Sequence, residues 1–242
     1  MKSTPGFGRL KSASGLDLGP PTRLKSSYGT LGMPDLKPSN VFARLDEGAD
    51  EDFYRFPRRV VHIDDGAITT VGQIYGDRIR PGAEILDLMS SWRSHLPERL
   101  SPARVVGLGL NHEEMADNPA LSEIVVHNVN RDPSLPFSDA SFDAVVMAVS
   151  VQYLIHPVEV FREAARTLRP GGCFIVTFSN RMFPTKAVAL WQMADNQNRV
   201  EIVKRYFAQS GAFETIEVTD MSRRAGPPSD PIWGVIGYVA NG

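Results

Sequence analysis

Five short apolar runs rich in Val and Ile constrain this chain more than any other feature. They are EILDL (84–88), ARVVGLGL (103–110), EIVVHNV (123–129), FDAVVMAV (142–149) and GCFIVTFS (172–179). Apolar residues stand at successive positions in these runs, so the strands they predict are buried on both faces. That pattern marks a parallel sheet covered by helices on each side. Helix-like segments separate several of the runs. The clearest is Pro157 to Leu168, where Val160 or Phe161, Ala164, Ala165 and Leu168 form an apolar face. Pro157 suits the first turn of such a helix. Arg169-Pro170-Gly171-Gly172 then places Pro and Gly where a type II turn requires them.

The flanking regions follow the same logic. Upstream, Asp64 or Asp65 caps a helix whose Ile68, Val71, Ile74, Tyr75 and Ile79 share one face, and Pro81-Gly82 ends it. Downstream, helices are predicted over 185–193 and 198–209, and strands over 213–218 and 232–239, with the loop SRRAGPPSDP between the strands. The last two strands suggest an antiparallel hairpin edge on the parallel sheet. A length of 242 residues fits one domain with a tail. Residues 1–52 are expected to form a flexible or poorly ordered arm, their first forty being rich in Ser, Gly, Pro, Lys and Arg. Residues 53–242 are expected to form the α/β domain, with 53–81 as a helical cover and 82–242 as the sheet core. The start of the chain lacks the apolar stretch of a secretory signal; an organelle signal is the alternative to a plain arm.

Several function classes are disfavoured. Net charge is −2, which gives no general attraction to nucleic acid or anionic membrane. The single cysteine, Cys173, permits no internal disulfide and no cysteine-based zinc site, and its apolar strand marks it as core. The expected location is the cytoplasm, because single-cysteine usage suits a reducing compartment. No apolar run reaches the ~18 residues of a membrane span. The P-loop, GxGxxG and GxSxG patterns are absent. No metal is expected.

In an open parallel sheet the ligand sits beyond the carboxyl ends of the strands, at the switch point. That rule gathers 87–93, 109–112, 128–131 and 149–153 around one crevice. His62 with Asp64 and Asp65 is the candidate acid/base cluster, since histidine titrates near neutrality and a carboxylate can orient it. Catalytic roles are therefore assigned to His62, Asp65 and His95. The competing reading is helix capping by the aspartates beside a packed histidine. Trp92 is a candidate for stacking on a ligand ring, and Arg58 and Arg59 are candidates for gripping an acidic group.

The segment SLPFSDASFDAVVMAVSVQYLIHPVEVFREAARTLRPGGCFIVTF, residues 134–178, resembles class I S-adenosylmethionine-dependent methyltransferases. The order of elements agrees from about Glu84 to Tyr238. The resemblance implies a doubly wound, mostly parallel seven-stranded sheet in the order 3-2-1-4-5-7-6, with strand 7 antiparallel. It also implies S-adenosyl-L-methionine as cofactor, and methyl transfer to a small or medium-sized acceptor as activity. The cofactor-binding positions it implies are Asp87, Met89, Ser90, Ser91, Gly109, Asn111, Asn128 and Val129. Ser150, Tyr153 and Asn180 would face the acceptor.

The chain departs from the family at three places. Met89, Ser91 and Arg93 stand where the family has glycines. Gly109 stands where it has the carboxylate that grips the ribose, with Asn111 two residues on as a substitute. Asn128 stands where it often has an aspartate facing the adenine. The stretches HIDD, DLxSSWxSH and GxGxN are similar to a branch of methyltransferase-like proteins. Two alternatives to transfer follow: a catalytically silent binding or regulatory module, and a different enzyme built on His62, Asp64, Asp65 and His95.

Overall fold

The computed structural model describes residues 41–222 and 228–242. Within the expected arm, residues 1–40 lie outside the described residues. Residues 41–52, however, pack on the domain. Phe42 lies against the main apolar cluster, and the Asp46 N–H donates to the Thr185 carbonyl at 2.8 Å. The compact domain therefore starts before Phe53, because one aromatic ring and several buried charges dock there.

Seven strands form one sheet: β1 (Glu84–Leu88), β2 (Arg104–Gly109), β3 (Glu123–Val126), β4 (Phe142–Ala148), β5 (Leu168–Phe178), β6 (Thr215–Asp220) and β7 (Trp233–Tyr238). Their order is β3-β2-β1-β4-β5-β7-β6, with β7 antiparallel to both neighbours and the rest parallel. The helices are α1 (Asp50–Phe53), α2 (Asp65–Gly76), α3 (His112–Ala116), α4 (Pro157–Thr167), α5 (Ala189–Met193) and α6 (Asn196–Ser210).

Strand periodicity sorts the core into two layers. Ile85, Val105, Val146 and Ile175 join one apolar cluster with Val71, Ile74 and Tyr75 of α2. Leu86, Val106, Val145 and Phe174 join the other with Phe161 of α4 and Phe207 of α6. Successive residues of one strand thus serve opposite faces, as the pleat requires. Asp64 caps α2 by accepting the Ala67 N–H at 2.8 Å, and Asp195 caps α6 by accepting that of Asn198 at 2.8 Å. Gly211 ends α6 at φ 67°, in the left-handed region that glycine enters without penalty.

Three elements differ from the sequence expectation. The helix α2 stops at Gly76, with Asp77 at its C-cap and Ile79 in the turn that follows, so Pro81-Gly82 lies beyond its end. The helix predicted over 185–193 is shortened to α5, because Val188 is extended (φ −67°, ψ 149°) and the preceding Lys186 is drawn into a buried ion-pair cluster. The Pro170-Gly171 turn does not precede β5 but interrupts it. Gly171 sits at φ 73°, and the pairing with β4 shifts register between Phe142 and Ala144.

Candidate functional site

The connections of β1 and β4 part in opposite directions, and a cleft opens over the strand ends there. Counting its open mouth, it encloses about 1170 Å³. It is lined by the ends of β1 to β4, the segment before α2, and the loop carrying Phe183 and Lys186.

Asp87 closes the β1 side and is 3% exposed. Its Oδ2 accepts the hydroxyls of Ser90 and Ser94, each at 2.6 Å. Burial pushes its pKa up to about 6, although both hydroxyls oppose the shift. Met89 follows at φ 60°. The turn keeps a glycine-type backbone with a methionine in it, which costs an L-residue roughly 1–2 kcal/mol. Met89→Gly is accordingly expected to be more stable than Met89→Ala by about 1 kcal/mol in urea unfolding, since both remove the side chain and only glycine relieves the backbone. Equal midpoints would show that the turn is unstrained.

At the end of β2, Gly109 has no room for a side chain. A Cβ there would overlap the Ser90 carbonyl and approach the Met115 sulfur to 3.1 Å. Asn111 caps α3, accepting the Glu114 N–H at 2.9 Å, and donates its amide to the Tyr54 carbonyl at 2.8 Å. Glu114 is 4% exposed; it accepts the Ser91 hydroxyl at 2.6 Å and the Arg58 N–H. Beyond β3, Asn128 accepts the Asn130 N–H and donates to the Glu51 carboxylate, both at 2.9 Å. Val129 is buried beside it. Beyond β4, the buried Ser150 hydroxyl has no hydrogen-bond partner among the described residues. The Tyr153 hydroxyl oxygen accepts the Phe183 N–H at 2.8 Å.

His62 and His95 come together in this cleft from segments 33 positions apart in the chain. Burial holds both below the ordinary histidine pKa. His95 falls to about 4, with His62 and Arg93 adding to the effect, whereas Glu114 partly offsets the shift at His62. Near pH 7 both rings are neutral. The His62 ring packs perpendicular to Phe183 with centroids 4.9 Å apart.

Two assigned residues fall outside the cleft. Asp65 is exposed on the first turn of α2, and it cannot orient His62 because its position continues the helix. Asp64 is likewise committed: besides its cap, it accepts from the Ser229 hydroxyl at 2.6 Å and the Asp230 N–H at 2.7 Å. Asn180 is exposed beyond β5 and does not line the cleft; the chain turns there, with the Arg181 N–H bonded to Ser179 Oγ at 3.0 Å. The other assigned positions all line it. Sequence reasoning missed Tyr54, Glu114, Phe183 and Lys186. The Glu113-Glu114 pair carries the mark of a solvated helix end, and only chain folded over it buries Glu114. Lys186 is 1% exposed, and its ammonium group lies 2.7 Å from the Gly48 carbonyl and 3.1 Å from Asp46 Oδ2.

Residues 91–176 match the family described as a methyltransferase domain. That match covers the middle of the chain, and the sheet order β3-β2-β1-β4-β5-β7-β6 decides the fold. The chain has the fold of the class I S-adenosylmethionine-dependent methyltransferases. This methyltransferase-fold chain is 29% identical over 131 residues to the malonyl-[acyl-carrier protein] O-methyltransferase of Marinomonas sp. (strain MWYL1), covering 52% of itself and 47% of that protein. It thus spans about half the length of that relative. An S-adenosylmethionine-dependent methyltransferase from Mesorhizobium loti shares the fold at 15% identity and a TM-score of 0.52, over 72% of this chain and 99% of that one. The [4+2]-cyclase SpnF shares it at 16% identity and a TM-score of 0.54, over 79% and 92%. One architecture therefore carries proteins named for different reactions.

The class I methyltransferases that the sequence resembles use S-adenosylmethionine, and the side chains of the cleft suit it in kind. Leu110 and Val129 offer apolar walls for a purine, Asn128 an amide, and Asp87 and Glu114 acceptors for hydroxyl or amino groups. Met89 keeps the backbone turn that glycine normally makes.

Proposed function

We propose that the cleft holds S-adenosylmethionine and that the chain transfers a methyl group to a small or medium-sized acceptor. The observation that carries this reading is the convergence of Asp87, Asn111, Asn128, His62 and His95 on one cleft at the switch point. When bound, the cofactor supplies an electrophilic methyl group. Asp87 would hold its amino-acid end, Met89, Ser90 and Ser91 would shape the turn beside it, and Asn128 with Val129 would meet the base. Gly109 contributes by its small size alone. Glu114 takes up the carboxylate role that Gly109 and Asn111 do not fill. His62, kept neutral by burial, would accept the proton of an oxygen or nitrogen acceptor, with His95 beside it. Ser150 and Tyr153 would orient the acceptor, since an unpartnered hydroxyl and a phenol face that end.

The chain's weak net charge supports a small-molecule acceptor over nucleic acid. We place the protein in the cytoplasm, on its single unpaired cysteine. Among the described residues no helix is long and apolar enough to cross a membrane.

Thermal melting with S-adenosylhomocysteine, and separately with S-adenosylmethionine, tests the reading. Ligand at 100 times Kd adds about 2.7 kcal/mol, a rise of roughly 5–11 °C for a domain of this size. No saturable rise at millimolar ligand overturns it. A rise with no methyl transfer to any acceptor supports the silent binding module.

A further inference from the structure

Polar side chains on the cleft wall are already bonded to one short segment, residues 51–60. The Asn128 amide donates to Glu51 Oε1 at 2.9 Å, the Asn111 amide donates to the Tyr54 carbonyl at 2.8 Å, and Glu114 accepts the Arg58 N–H. Trp92 Nε1 donates to the Val60 carbonyl at 3.1 Å. The other hydrogen-bonding atoms of this wall are spent within the domain. Asn111 Oδ1 caps α3, Asn128 Oδ1 accepts from Asn130, and Glu114 Oε2 accepts from Ser91.

The segment is anchored at its two ends. At one, Asp50 accepts from Arg44 at 2.6 Å and from Asn130 at 2.9 Å. At the other, Asp64 caps α2 and binds the chain before β7. Between the anchors the outer surface is open, with Phe56 74% and Val60 50% exposed. The segment's remaining ties include the solvent-exposed pairs of Arg59 with Asp117 at 2.6 Å and Glu113 at 3.0 Å and the edge contact of the Phe53 ring with Phe183. A stretch held mainly by exposed polar contacts belongs to the part of a fold that opens readily.

We infer that residues 51–60 are a lid whose own polar atoms occupy the groups an adenosyl ligand would use, so that binding requires the lid to unlatch. This rests on the cofactor reading given above. A nucleoside brings hydroxyls that need acceptors and a base that needs an amide partner. On this wall the Glu51 carboxylate, the Tyr54 carbonyl and the Arg58 N–H hold those positions. Ligand and lid exchange one set of hydrogen bonds for another, and the exchange gives little net gain. The closed lid therefore lowers the apparent affinity by the fraction of molecules that are open.

Glu51→Ala tests the device, because Glu51 is exposed and reaches Asn128 from outside the core. In calorimetric titration of the full chain, S-adenosylhomocysteine is expected to bind the variant about five- to tenfold more tightly than the wild type. In the wild type, the same ligand should speed tryptic cleavage after Arg55, Arg58 and Arg59. It should also shift Trp92 emission to the red as the Val60 contact is lost. Unchanged or weaker binding by the variant overturns the lid, as does slower cleavage with ligand, and the cofactor reading then stands on the wild-type titration alone. If neither chain shows saturable binding at millimolar ligand, the cofactor reading falls and the lid falls with it.

Discussion

Asp87→Asn is expected to raise the melting temperature at pH 8 by ~6–12 °C and to weaken S-adenosylhomocysteine binding about tenfold or more. The carboxylate is buried with no cation in contact, and its pKa rises from 3.8 to about 6. A shift of that size corresponds to roughly 3 kcal/mol lost from the folded state once the group is ionised. The amide carries no charge, and its carbonyl can accept both the Ser90 and the Ser94 hydroxyls. Because the folded-state pKa is the higher one, this group's stabilising contribution is full below pH 3.8 and is lost as pH rises through about 6. The gap between variant and wild type should therefore close as pH falls from 7 to 4. His95 acts in the opposite sense. Its depressed pKa removes stability as pH falls from 6.5 towards 4, but it is common to both proteins and cancels. Denaturant midpoints at pH 4, 6 and 8 measure the effect. A variant that is no more stable than wild type at pH 8 would mean that the buried charge costs nothing. The expected combination, gain in stability with loss of ligand, would mark Asp87 as a residue retained for binding.

The second large effect concerns Gly109. Restoring the family's carboxylate by Gly109→Asp looks, from the sequence, like a repair of the ribose site. The structure predicts the opposite. The new Cβ would overlap the Ser90 carbonyl, a backbone atom held by the Ser90 N–H bond to Leu108 O at 2.8 Å. The strand end or the ligand loop must move, which places the change among those costing more than about 4 kcal/mol. Melting should fall by at least ~8 °C, and ligand binding should be lost with the loop geometry. Gly109→Ala separates sterics from charge, since it carries the same Cβ without a carboxylate and should show most of the loss. A stable Gly109→Asp variant that binds ligand more tightly would show that the turn at Ser90 can retreat.

Much of this was legible in the sequence because the signals are local. The runs 84–88, 103–110, 123–129, 142–149 and 172–179 each correspond to a strand, and Pro157 and Asp64 stand where α4 and α2 begin. The rule that ligands gather at the switch point brings Asp87, Asn111, Asn128 and Ser150 to one cleft from strand order alone. Adjacency in sequence does not bring Asp65 or Asn180 into the cleft. Helical geometry carries Asp65 away from His62, and a turn carries Asn180 away from the mouth.

By itself, then, the sequence determined the layered sheet, its buried inner strands and the end at which a ligand would sit, since periodicity and capping act over a few neighbouring residues. The strand β3, whose apolar run reads as buried on both faces, lies at the sheet edge with Val126 56% exposed. Tertiary structure alone decided the state of the polar groups. Glu114 is buried because Arg58, 56 positions away, lies over it, and Asn128 is engaged because Glu51, 77 positions away, reaches it. Burial raises Asp87, lowers His62 and His95, and leaves no room at Gly109. Each of these depends on desolvation and contact between distant segments, which no window of neighbouring residues encodes.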